Sequence, residues 1–151
     1  MQVVIQRVNR ASVTVDSKEV SRIGKGYMLL VGIARDDTKE EIEYIANKII
    51  NLRIFEDEDD KMNKSLLDVG GEILAVSQFT LMADCRKGRR PSFIDAAPPD
   101  EASALFDYFV GELRKFVPSV KTGIFQAMMD VELCNYGPVT IVMDSRQMLL
   151  R

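Results

Sequence analysis

The sequence has no histidine at all. That removes the Ser-His and Cys-His nucleophile pairs and any imidazole-ligated zinc centre. A hydrolase built from this chain must take its base from a carboxylate, a lysine, a metal held by oxygens, or its own substrate. Cysteine is also scarce: Cys85 and Cys134 lie far apart and form no C-x-x-C pair, which argues against a disulfide framework or a thiolate zinc site and suits a reducing cytosol. No apolar run approaches membrane-spanning length, and the opening Gln2–Val8 is too short and too strand-like for a signal peptide. A cytoplasmic protein without a membrane anchor is expected. The net charge of -3 excludes the wholesale basic character of many nucleic-acid-binding domains, leaving room only for a local basic patch.

What is present fits one globular domain over residues 1–151, with 46% hydrophobic content. Val3–Val8 and Ala11–Val15 read as two strands parted by Asn9-Arg10. Val20–Ile23, a hairpin turn at Gly24-Lys25-Gly26, and a fully buried strand over Tyr27–Ile33 continue a β-meander. Thr38 and Glu41 form a capping box for a helix whose apolar stripe is Ile42, Ile45, Ala46, Ile49 and Ile50. Pro98-Pro99-Asp100 opens a second helix with the stripe Ala102, Leu105, Phe106, Phe109, Val110, Leu113 and Phe116, stopped by Pro118. Further strands are expected over Val120–Phe125, Met129–Cys134 and Val139–Asp144. The expected class is α+β: a mainly antiparallel, barrel-like sheet covered by two main helices.

Two polar interruptions stand inside hydrophobic runs. Ser77-Gln78-Phe79-Thr80-Leu81 closes the apolar segment Glu72–Val76, and Asn135-Tyr136-Gly137-Pro138-Val139-Thr140 opens another. Both are expected where a buried strand meets a loop, and if the two strands are neighbours their polar groups line one pocket. Ser77 and Thr80 carry hydroxyls but no G-x-S-x-G elbow, and strand-end hydroxyls commonly bond to nearby backbone. Gly137 has no side chain and Pro138 no amide hydrogen, so the pair can offer carbonyl oxygens to a ligand at close range. Glu56–Asp60, five carboxylates in a row, lacks the spaced ligands of a calcium loop and reads as a solvated turn. Arg86, Lys87, Arg89 and Arg90 form a basic cluster that is either a solvated loop or a phosphate-binding patch, with Pro91-Ser92-Phe93 pinning it to the body.

Taken together, these motifs resemble the D-aminoacyl-tRNA deacylases. The resemblance rests on Ser77-Gln78-Phe79-Thr80-Leu81 and on Asn135-x-Gly137-Pro138-Val139-Thr140. It is supported in order and spacing by Gln6-Arg7-Val8, Arg53-Ile54-Phe55, Lys61-Met62-Asn63 and Arg90-Pro91-Ser92-Phe93. The resemblance implies a homodimeric, cofactor-free, metal-free proofreading enzyme that hydrolyses the ester between a D-amino acid, or glycine, and the terminal adenosine of tRNA. It also implies that Gly137 and Pro138, joined by a cis peptide, reach into the partner subunit's site and exclude L-side chains. Ser77, Gln78, Phe79 and Thr80 would surround the scissile ester, with Phe125 and Met129 near the pocket and Arg86, Lys87, Arg89 and Arg90 on the tRNA. With no histidine anywhere and no lysine in either motif, assistance by the tRNA 2'-hydroxyl is favoured over attack by Thr80. A Thr80-nucleophile esterase and a non-catalytic amino-acid or peptide-binding module remain the alternatives.

Overall fold

In the computed structural model, which describes residues 1–149, the long first strand organises the sheet. β1 (Gln2–Val15) runs without a break where two strands were expected. Along one edge it pairs antiparallel first with β3 (Gly26–Gly32) and then with β2 (Lys18–Ile23). Along the other edge it pairs antiparallel with β8 (Asp130–Asp144). The Gly24–Gly26 link is therefore not a hairpin turn; it transfers the chain from one half of β1 to the other. Gly26 is required there by close approach, since a Cβ would lie 1.8 Å from the Glu72 carbonyl oxygen.

β6 (Glu72–Ser77) lies parallel to β3, and β7 (Val120–Thr122) lies parallel to β6. The ladder runs β2-β1-β3-β6-β7, with β8 on the far side of β1. Two contacts draw its ends together: the Ser21 hydroxyl donates to the Thr122 carbonyl, and Lys121 Nζ donates to the Arg22 carbonyl at 2.6 Å. The sheet thus curls toward a nearly closed barrel.

Alternation sorts the side chains of the central strands into two cores. Tyr27, Leu29, Val31, Ile73 and Ala75 face α1 (Lys39–Asn51) and α2 (Pro99–Arg114). Met28, Leu74 and Val76 face Val8, Ala11, Val13 and Ile23. The α1 stripe is buried as its spacing predicts, and Glu41 accepts the Thr38 amide at 2.6 Å. The α2 stripe ends early. The helix stops at Arg114, the chain tightens so that Phe116 N–H bonds to the Leu113 carbonyl at 3.1 Å, and Val117 takes the core position while Phe116 is left 53% exposed.

The acidic run joins the short hairpin of β4 (Phe55–Glu56) and β5 (Met62–Lys64). Asp57 caps the turn by accepting the amides of Asp59 and Lys61 at 2.8 and 3.1 Å, and Glu58 pairs with Lys64 at 2.8 Å. A short helix α3 (Ser145–Met148) follows β8. Among the described residues, no helix is long and apolar enough to cross a membrane.

Candidate active site

The first motif sits where the buried strand β6 stops. Ser77 is its last residue, Gln78 N–H is held by the Val31 carbonyl at 2.7 Å, and Phe79–Met82 coil into one 3-10 turn. That turn brings the Gln78 side-chain amide onto the Thr80 hydroxyl, which accepts its hydrogen bond. Phe79 and Thr80 face solvent while Ser77 and Gln78 are half-buried. The Phe79 ring packs edge-on against Phe93, with centroids 5.0 Å apart.

Phe93 brings the basic loop with it. Asp84 and Ser92 exchange backbone hydrogen bonds of 2.8 and 2.9 Å, closing a neck from which Cys85–Pro91 project. Arg86 clasps this neck, donating from Nε and Nη2 to the two Asp84 oxygens at 2.8 and 2.7 Å. The guanidinium and the Arg86 amide hold the Asp84 carboxyl down at about 2, so the clasp is charged at neutral pH and is lost only as pH falls through that value. The anchoring role expected of Pro91-Ser92-Phe93 thus falls to Ser92 and Phe93. Lys87, Arg89 and Arg90 are exposed, with no ion pair among the described residues.

The second motif is not in a loop. It lies inside β8 as an enlarged bulge: Thr140 pairs with Gln6 and Asn135 with Val8, so β8 takes five steps where β1 takes two. Asn135–Pro138 are exposed, the Gly137–Pro138 peptide is cis, and Gly137 has φ +121°, a conformation that favours glycine.

Arg7 faces the bulge, only 2% exposed. Its Nε donates to the Tyr136 carbonyl at 3.0 Å, and its Nη1 donates to the Ile54 carbonyl at 2.6 Å and to Glu56 Oε1 at 2.9 Å. Its guanidinium also lies over the Tyr136 ring, 4.4 Å from the centroid. Glu56 is held below the usual glutamate value by its own backbone amide first and then by Arg7. Sequence reasoning gave Arg7 no task, although a signal was there: it stands in phase with Val3 and Ile5 on the buried side of β1.

The two motifs do not meet within one chain. β6 and β8 are separated by β3 and β1, three strand spacings or about 14 Å across the sheet. Ser77 is level with Val31, Val3 and Met143, whereas the bulge is level with Arg7, four residues and about 13 Å further along. The expectation of neighbouring strands and a shared pocket therefore fails for a single chain.

Phe125 and Met129 also depart from expectation, lying in the link between β7 and β8 rather than in a strand. Phe125 packs on the helix-side core and Met129 on the other. β7 ends at Thr122, which pairs with Ala75, two residues before Ser77 in β6, and the link that carries Phe125 and Met129 begins there. Among the described residues, no group of three or more acidic or cysteine side chains is arranged to hold a metal ion.

Comparison with known proteins identifies the family and the fold. The sequence pattern of the family described as D-Tyr-tRNA(Tyr) deacylase matches residues 4–144. A D-aminoacyl-tRNA deacylase of Clostridium acetobutylicum is 56% identical over 147 residues, covering 97% of this chain and 99% of its own. One from Bacillus cereus is 58% identical over 146 residues, covering 97% and 100%. Among solved structures, a c-Myc DNA unwinding element binding protein superposes with a TM-score of 0.91 at 46% identity, over 95% of this chain and 98% of that one. A probable eukaryotic D-amino acid tRNA deacylase, 21% identical, shares the fold with a TM-score of 0.81 over 94% and 97%.

Proposed function

The chain belongs to the D-Tyr-tRNA(Tyr) deacylase family, and from that premise we propose that it hydrolyses the ester joining a D-amino acid to the terminal adenosine of tRNA. Glycyl-tRNA is a second substrate on this reading, because glycine has no side chain to be rejected. The enzyme acts in the cytoplasm as a proofreader, without metal or cofactor.

The observation that carries the finer reading is the separation of two exposed, chemically complementary segments on one chain. A second copy brings its bulge over the first copy's Ser77–Thr80 corner, and among the described residues β8 offers it an edge unpaired except to β1. Carbonyl oxygens of Gly137 and Pro138 then accept from the substrate's α-ammonium group. With the amino group and ester both fixed, an L-side chain is driven into backbone, whereas a D-side chain points outward. Phe125 and Met129 border the pocket, and Lys87, Arg89 and Arg90 meet tRNA phosphates while Arg86 chiefly holds the neck of their loop through Asp84.

Water is the nucleophile. Its oxygen bonds to the ester carbon, the bond to the ribose 3'-oxygen breaks, and the neighbouring 2'-hydroxyl relays the proton from water to that leaving oxygen. Backbone amides of the Phe79–Met82 turn stabilise the oxyanion. Thr80 positions rather than attacks. Its hydroxyl is occupied by the Gln78 amide, a group that cannot take up a proton.

The test is hydrolysis of matched D- and L-tyrosyl-tRNA in chelated buffer, with wild type, Thr80→Ala, and tRNA ending in 2'-deoxyadenosine. Wild type should cleave only the D-ester and Thr80→Ala should stay within about tenfold of it, while the deoxy substrate should lose roughly a hundredfold or more. An inactive Thr80→Ala with a trapped acyl-enzyme in wild type would make Thr80 the nucleophile. Two intact esters would leave a binding module.

A further inference from the structure

A cleft of about 370 Å³ begins at Leu81, the residue after Thr80. Leu81 and Met82, the end of the 3-10 turn, form its apolar floor, and Asp95, Asp144, Arg86 and Arg146 are among its walls. Its volume falls in the roughly 300–1,000 Å³ range of small-ligand sites.

The polar groups are not equivalent. Arg86 is committed to Asp84 through two of its nitrogens. Arg146 is held more loosely: its side chain is 53% exposed, and its ion pair, from Nη2 to Asp36 Oδ1, is long at 3.9 Å. Asp144 is fixed as an acceptor, with Oδ2 receiving the Gln2 side-chain amide at 3.1 Å and Oδ1 the Arg146 amide at 2.9 Å. An apolar floor, acidic acceptors on the wall and a cation at the rim suit a nucleotide whose base carries an exocyclic amine and whose phosphate lies outward.

We infer that this cleft receives the nucleotide preceding the terminal adenosine in the tRNA acceptor end, a cytidine, with Arg146 on its phosphate and carboxylates of the wall on its amine. The inference rests on the deacylase reading, which puts the terminal ester beside Thr80. It also gives the nucleic acid a path, because the cleft shares Cys85 and Arg86 with the base of the exposed loop that carries Lys87, Arg89 and Arg90. A chain leaving the ester site through the cleft passes onto that loop. Uridine would present a carbonyl oxygen to the carboxylates and be disfavoured.

The experiment compares kcat/KM on D-tyrosyl-adenosine, D-tyrosyl-cytidylyl-adenosine and D-tyrosyl-uridylyl-adenosine, in wild type, Arg146→Ala and Arg146→Lys. Wild type should gain about tenfold when the cytidylate is added and less when a uridylate is added. Arg146→Ala should lose most of that gain and Arg146→Lys should recover part of it. Because the readout is a ratio between substrates on one protein, a general loss of folded enzyme cancels. A gain unaffected by Arg146→Ala, or equal for cytidine and uridine, overturns the inference while leaving the deacylase reading intact. Wild type inactive on all three substrates and on D-tyrosyl-tRNA overturns both.

Discussion

The Ser77–Thr80 corner and the Tyr136–Val139 bulge are both exposed polar interruptions of strands, yet they are held in opposite ways. The corner ends an interior strand, and main chain fixes it: Ser77 pairs with Val31, and Gln78 N–H bonds to the Val31 carbonyl. The bulge interrupts strand β8, which among the described residues pairs with β1 alone, and the bulged residues between Asn135 and Thr140 stand outside that register. One buried side chain, Arg7, ties the bulge to β1, to Ile54 and to Glu56. A corner made of main chain tolerates changes in its side chains. A bulge hung on one guanidinium should fail when that anchor is disturbed from either side.

Gly137→Ala should have the largest effect. Its Cβ would sit 2.6 Å from Arg7 Nη2, in a backbone conformation that L-residues rarely adopt. Arg7 cannot retreat without releasing its carbonyl partners. We expect kcat/KM for D-tyrosyl-tRNA to fall by about a hundredfold or more, with the backbone strain also costing about 1–3 kcal/mol in urea unfolding; retention of full activity and of L-ester rejection would remove Gly137 from chiral selection. Arg7→Met comes next. It leaves the Tyr136 and Ile54 carbonyls and Glu56 without their cation, and should cost about 3 kcal/mol in urea unfolding, with a clear loss of activity. A variant as stable as wild type would mean that the bulge is held elsewhere.

The contrast explains what could be read from the sequence. Periodicity located α1 and its stripe because a helix over a sheet repeats every three to four residues. It also located the interior strands, since β3 and β6 are buried on both faces. It failed at β1 and β8, where bulges break the alternation and a continuous strand looks like two. Phe116 was misplaced for a related reason: periodicity does not register a helix that tightens one turn early. Both signature motifs were legible as residues. Their separation was not, because strand order is a property of topology and no local pattern encodes that β3 and β1 lie between β6 and β8. Arg7 was legible only in retrospect, since a charge in phase with buried valine and isoleucine reveals its partners only once Ile54, Glu56 and Tyr136 have been brought to it.

The smallest expected effect sharpens the comparison from the corner's side. The basic loop belongs to the corner through Phe93 on Phe79 and the Asp84–Ser92 neck, whereas the bulge is anchored from β1 through Arg7. Replacing Lys87, Arg89 and Arg90 by glutamine should therefore weaken tRNA binding without altering the ratio of D- to L-ester hydrolysis. Each single-strand phosphate that is no longer neutralised lowers the salt slope by about 0.7, so the triple variant should reduce it by roughly 2. Arg86→Gln should act differently, because its guanidinium is engaged by Asp84 in the free protein. Its replacement should loosen the neck more than it changes the slope. An unchanged slope in the triple variant would return the loop to plain solvent. A reduced slope with a changed D-to-L ratio would mean that corner and bulge communicate, and that chirality is not read at the bulge alone.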